Sequence, residues 1–181
     1  YHDAEAYDEP VSIGMPYTRT EVESGAALLA HREPVAVTEH ITALGEIPRE
    51  HEDAAVGLIE DGDTLVDDPV MDDQALAVQT EGGVAVIMGC GHAGLRNTIE
   101  YAESVTGDTV RYVIGGTHLV AKDDETVHEI ADWLEGRLEL FAGAHCTGFR
   151  AQSILADRLP ETFRHVGVGS RIDLPLEDET G

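Results

Sequence analysis

The second half of the chain switches between two hydrophobic periods at regular intervals. Val84-Ala85-Val86-Ile87-Met88, Val110-Arg111-Tyr112-Val113-Ile114 and Leu138-Glu139-Leu140-Phe141-Ala142 are runs of strand length. Each precedes apolar residues at helical spacing: Leu95, Ile99 and Ala102, then Val127, Ile130, Ala131 and Leu134, then Ala151, Ile154, Leu155 and Leu159. The pattern predicts three strand–helix units, the first helix ending near Gly107, and a last strand at about His165 to Val168.

The first half is less regular. Up to about Pro16 the sequence is polar, acidic and interrupted by proline. Thr20-Glu21-Val22-Glu23 signals a helix start, with Ala26, Leu28 and Leu29 following. Pro34–Val37 and His40–Leu44 read as short strands closed by Gly45 and Pro48. Val56–Glu60 and Thr64–Val66 flank Asp61-Gly62-Asp63, a hairpin signal. A second hairpin joins Gln74–Thr80 to Val84–Met88 through Glu81-Gly82-Gly83. Residues 1–181 are thus expected to form a single α/β domain with an acidic, frayed tail over 174–181.

Charge changes the picture of the surface. Thirty-six acidic residues face 11 basic ones, of which only Lys122 is lysine, for a formal charge of −25. The apolar positions are periodic, so a disordered acidic chain is set aside in favour of a folded, solvated surface. Such a surface repels itself in dilute buffer, whereas at ~1 M salt the Debye length shrinks to about 3 Å. A halophilic, cytoplasmic protein is therefore expected. Nucleic acid and anionic membrane are poor partners for this charge, and neither a signal peptide nor a long apolar segment is expected from these residues. The first residue is Tyr1 rather than methionine, so a fragment, a processed product or an incomplete reading frame is expected.

Chemistry concentrates in three passages: Gly89-Cys90-Gly91-His92-Ala93-Gly94, Gly115-Gly116-Thr117-His118-Leu119 and His145-Cys146-Thr147-Gly148. Each follows a strand and opens a helix, so on a shared sheet the three turns reach one edge, where open α/β sheets bind ligands. Neutral imidazoles from His92, His118 and His145 suit zinc or another divalent metal, with a position left for water. A lone histidine is more often a packing or capping residue; three in matching contexts favour a metal. His31, His40, His51, His128 and His165 lack that context. Cys90 and Cys146 are expected to be reduced and small packing residues first, with a metal or redox role as the lesser reading.

These passages, in this order, together with Gly45-Glu46-Ile47-Pro48-Arg49 and Asp72-Asp73-Gln74-Ala75-Leu76, resemble the metallo-β-lactamase superfamily. Within it the match is to the branch of the archaeal dihydropterin–ribofuranosylaminobenzene phosphate synthase-like proteins, over most of residues 20–170. The resemblance implies an αββα sandwich with one or two metal ions, at which a metal-bound hydroxide attacks an ester or phosphoester. His92 is similar to the third metal motif and His145 to the last ligand, while His118 stands where most relatives carry a bridging Asp. The first motif, HxHxDH, which carries the catalytic Asp, is absent from this chain; it is expected upstream of Tyr1, leaving the N-terminal part of the domain missing.

Around the histidines several residues are candidates for a small anionic substrate. Arg96 and Asn97 follow the first passage, Asn97 alternatively tying down a loop. Thr147 and Gly148 open a helix whose N–H groups could hold an anion, simple capping by Thr147 being the alternative. Asp72 or Asp73 could orient a ligand histidine, the plainer reading being exposed acidic decoration. The expected function is a metal-dependent hydrolase-like enzyme. A pterin-related synthase is allowed by the resemblance, and a non-catalytic metal-binding or interaction protein is the alternative. A homo-oligomer is compatible with the sequence.

Overall fold

A computed structural model describes residues 14–52, 57–174 and 176. In chain order the elements are α1 Arg19–Gly25, β1 Val35–Ala36, β2 Ile41–Ala43, β3 Gly57–Asp61, β4 Thr64–Asp68, β5 Ala75–Thr80, β6 Gly83–Met88, α2 Leu95–Thr106, β7 Val110–Gly116, α3 Asp124–Leu134, β8 Leu140–Ala144 and α4 Phe149–Arg158. Short 3-10 turns at Leu119–Ala121 and His145–Thr147 follow β7 and β8.

Six strands form one mixed sheet in the order β1-β2-β5-β6-β7-β8, antiparallel up to β6 and parallel from β6 to β8. β3 and β4 make a separate antiparallel hairpin around Gly62. The sheet's two faces follow from strand alternation. Ala77, Val86, Val113 and Phe141 lie in register across β5–β8, all buried, and belong to one core with Leu95, Ile99, Ile130, Leu134, Ala151 and Leu155. Helices α2, α3 and α4 therefore cover this one face. The next row, Leu76, Ile87, Ile114 and Ala142, points the other way; it is apolar too, yet its three larger side chains are exposed or half-buried. The described residues thus supply a β-layer with its helical layer, beside a second, two-stranded sheet.

Local chemistry explains where elements stop. Thr18 caps α1 in a capping box with Glu21, its backbone N–H donating to the Glu21 carboxylate at 2.7 Å. That helix ends at Gly25, so Ala26, Leu28 and Leu29, expected within it, lie outside; α1 buries no residue that could hold a longer amphipathic face. The expected last strand at 165–168 does not form. Phe163 makes a single parallel bridge to Phe141 and buries its ring, after which the chain turns away through Gly167 and Gly169, leaving Val168 fully exposed. Among the described residues no helix is long and apolar enough to cross a membrane.

The functional consequence lies in the parallel half. β6, β7 and β8 run the same way, so the turns after Met88, Gly116 and Ala144 emerge at one sheet edge.

Candidate metal centre

At that edge the rings of His92 and His118 meet edge to face, 4.7 Å between centroids and 80° between planes. The donor atoms of Cys90, His92 and His118 lie within 4.8 Å of one another, and so do those of Cys90, His145 and Cys146. The three histidine passages therefore do converge, but around the Cys90 sulfur. His92 and His118 form one cluster with it, whereas His145, exposed, joins it through the second cysteine.

Backbone strain marks the same place. The non-glycine residues at positive φ among those described are Val70 (50°), His118 (51°) and His145 (49°). Such a conformation costs about 1–3 kcal/mol each and persists only where the surroundings enforce it. The enforcing contacts are visible. The His118 N–H donates to Cys146 Sγ at 3.3 Å, and buried Thr117 donates its hydroxyl to that of Thr147 at 3.1 Å. Val70 is held by its N–H donating to Asp68 Oδ1 at 2.9 Å and by its carbonyl accepting from Arg49 at 2.8 Å. Its turn presents Asp72 and Asp73.

Of these two aspartates, Asp73 is the one placed behind a histidine. Its side chain is nearly sealed, accepts the Ala93 N–H at 3.0 Å and stands 3.8 Å from His92 Nδ1. That is an ion-pair distance, too long for a hydrogen bond. Asp72 is exposed on the rim of a cleft of about 560 Å³, which Asp68, Asp73, Gly89, His92 and the β3 residues Leu58 and Ile59 also line. Arg49 braces the cleft from behind by donating to the Ile47 carbonyl at 2.5 Å; burial pulls its guanidinium below the ordinary value, against the opposing fields of Asp73 and Glu46.

The cysteines are part of the centre rather than filler. Their sulfurs are 3.0 Å apart, and the Cys146 thiol donates to the Cys90 carbonyl at 2.9 Å. Burial first, then the hydrogen bond and charge of Cys146 and the charge of Asp73, push the Cys90 thiol up to about 12. The sequence signal for this pair was its position, each cysteine one or two residues from a predicted ligand.

The other substrate candidates are tied into the scaffold. Asn97 is buried, accepts the N–H groups of Glu50 (2.8 Å) and His51 (2.7 Å), and donates to the carbonyls of His51 (3.1 Å) and Ala93 (2.8 Å). It is a loop tie, with His51 further bonded to Glu100 at 2.8 Å. Thr147 is fully buried, and Gly148 rather than Thr147 is the N-cap of α4. Gly148 sits at φ 75°, and a Cβ there would come within 2.9 Å of Val120. Arg96 is half-buried in the first turn of α2.

No family model matches the chain. It is 30% identical over 158 residues to a 7,8-dihydropterin-6-methyl-4-(β-D-ribofuranosyl)-aminobenzene-5'-phosphate synthase of Methanocaldococcus jannaschii, covering 82% of this chain and 53% of that protein. A second protein of the same organism, uncharacterized, is 33% identical over 137 residues, 75% of this chain and 51% of its own length. The chain thus spans about half the length of the curated relatives it matches. Among solved structures, Tm1679, described as a metal-dependent hydrolase of the β-lactamase superfamily, shares the fold with a TM-score of 0.73 at 23% identity, over 82% of this chain and 59% of that one. By sequence the chain is similar to the dihydropterin synthase-like proteins over about half of their length, and by fold it is similar to that metal-dependent hydrolase of the β-lactamase superfamily.

Proposed function

We propose that the protein is a metal-dependent hydrolase-like enzyme whose divalent ion, zinc or a similar metal, is held at the edge of β6–β8 by His92 and His118, with His145 on the adjoining turn. The observation that carries this reading is His118, held at positive φ edge to face with His92, with the equally strained His145 on the next turn, by contacts between the ends of β6, β7 and β8. The donor set fits: imidazole nitrogens with a thiol among them suit zinc and its first-row neighbours. When bound, such an ion supplies Lewis-acid polarisation and lowers the pKa of its water from ~15.7 to roughly 7.

The chain's own residues do the positioning. Asp73, fixed by the Ala93 N–H, faces the Nδ1 side of His92 and favours the tautomer that leaves Nε2 as a donor. The β3–β4 hairpin walls the cleft beside His92, limiting access to a small substrate. Asp68, Asp72 and Asp73 make that cleft acidic, so an ester or phosphoester with negative charge would enter only with the metal's charge in place. Arg96 is the cation we assign to such a substrate.

A substrate of the pterin-linked phosphate type is supported by the relative's name alone, and it remains the narrower version of this reading. The test is turnover of p-nitrophenyl phosphoesters and carboxylic esters by metal-loaded protein, compared with His92→Ala and His118→Ala. Activity lost in both variants supports the hydrolase. Metal uptake without turnover of either substrate class would favour a non-catalytic metal-binding protein instead.

A further inference from the structure

We propose that Cys90 and Cys146 form a reversible intramolecular disulfide across the end of β7, making this pair a modification site at the heart of the histidine cluster. The two sulfurs are 3.0 Å apart although 56 positions separate the residues in sequence. A disulfide bond is ~2.05 Å long, so closure needs about 1 Å of further approach.

The pair is built, not incidental. Cys90 follows β6 and Cys146 follows β8, with β7 between them, and β7 ends in Gly116. A Cβ at Gly116 would stand 2.8 Å from Cys146 Sγ and 3.2 Å from Cys90 Cα, so the glycine leaves the space in which the sulfurs meet. Hydrogen bonds fix the partners: Cys146 donates to the Cys90 carbonyl and receives the His118 N–H. Both residues are half-buried, within reach of a small oxidant.

With a low-molecular-weight disulfide such as oxidised glutathione as oxidant, the Cys146 sulfur attacks and releases one glutathione thiol. Cys90 then attacks the mixed disulfide at Cys146 and releases the second. Two cysteine thiols are oxidised to one disulfide, one glutathione disulfide is reduced to two thiols, and the two cysteine protons end on the released glutathiones. Contact geometry makes the second step intramolecular.

The bridge has a consequence for the metal, and this part rests on the reading given above. The Cys90 sulfur lies 3.6 Å from His118 Nδ1 and belongs to both donor groups, so oxidation removes a thiol from each. Oxidised protein should therefore take up cobalt(II) more weakly, by roughly tenfold or more.

The experiment treats reduced, metal-free protein with oxidised glutathione, then counts thiols in denaturant and maps peptides without reductant. Expected are joint loss of both thiols, a mass loss of two hydrogens, one Cys90–Cys146 cross-linked peptide in a monomeric chain, and full recovery with dithiothreitol. Cys146→Ser should give no internal bridge. Stable glutathione adducts on the wild type, interchain dimers, or persistence of both thiols would overturn the proposal. A bridge in a protein that, when reduced, takes up no cobalt would leave the disulfide standing and defeat the metal reading. A bridge that leaves cobalt uptake unchanged would defeat the coupling.

Discussion

Replacing Asn97 by alanine should destabilise the fold without emptying the metal centre. The Asn97 carboxamide makes four bonds to backbone groups, two accepted from Glu50 and His51 and two donated to His51 and Ala93. A hydrogen bond of this kind contributes about 1 kcal/mol net, and a buried partner left unmet costs about 1–3 kcal/mol. Water can reach some of the half-buried partners around residues 50–51, so the loss is placed at about 3–4 kcal/mol. On a urea dependence of about 1–3 kcal/mol per molar this moves the denaturation midpoint down by roughly 1–4 M. Asn97→Asp keeps both accepted N–H groups and should lose about half as much. The assay is urea denaturation followed by circular dichroism in concentrated KCl, with cobalt(II) uptake measured on the folded variant. A loss below about 1 kcal/mol for the alanine variant would refute the loop-tie reading and return Asn97 to the substrate.

Three further outcomes follow from other positions. Gly116→Ala places a Cβ 2.5 Å from the Gly89 carbonyl and 2.8 Å from Cys146 Sγ; we expect about 1–3 kcal/mol of destabilisation from overpacking and loss of Cys90–Cys146 cross-linking, both absent if the turn simply yields. Cys90 holds its proton up to about pH 12 in the folded chain against an ordinary thiol value of 9.0. Its contribution to stability is therefore complete below about pH 9 and is lost as pH rises towards 12. Because the side chain is only half-buried, the loss should not exceed about 1 kcal/mol. Denaturation midpoints at pH 8 and 11 should differ less for Cys90→Ser than for wild type; equal differences would contradict this. Finally, a charge of −25 predicts cooperative loss of helical signal as KCl falls from ~1 M to ~0.1 M, and a flat response would remove the halophile expectation.

The parallel half was legible because its signals were redundant. The runs at 84–88, 110–114 and 138–142, helical spacing after each, and glycine at both ends of α2 all pointed to the same units. Hydrophobic period says nothing about what an exposed valine does after a glycine, and so the strand expected at 165–168 failed once Phe163 had buried its ring. The candidate histidines were found from their glycine-flanked turns, and the sheet does bring those turns together. Their arrangement around Cys90 was not readable, since spacing along the chain does not encode which side chain occupies the shared centre of three loops. The same holds for Asn97 and Thr147. Each had two readings in the sequence, a substrate contact or a local tie, and both are buried polar residues bonded to neighbouring turns. Asp73 was separable from Asp72 only through burial, which the repeated Asp-Asp pair conceals.

The central claim, that His92 and His118 hold a divalent metal, is tested most directly by equilibrium binding of zinc or cobalt(II) to wild type, His92→Ala and His118→Ala, each shown to be folded in the same salt. Saturable binding by wild type and at least tenfold weaker binding by either variant are expected. Wild-type affinity and stoichiometry in both variants would contradict the claim.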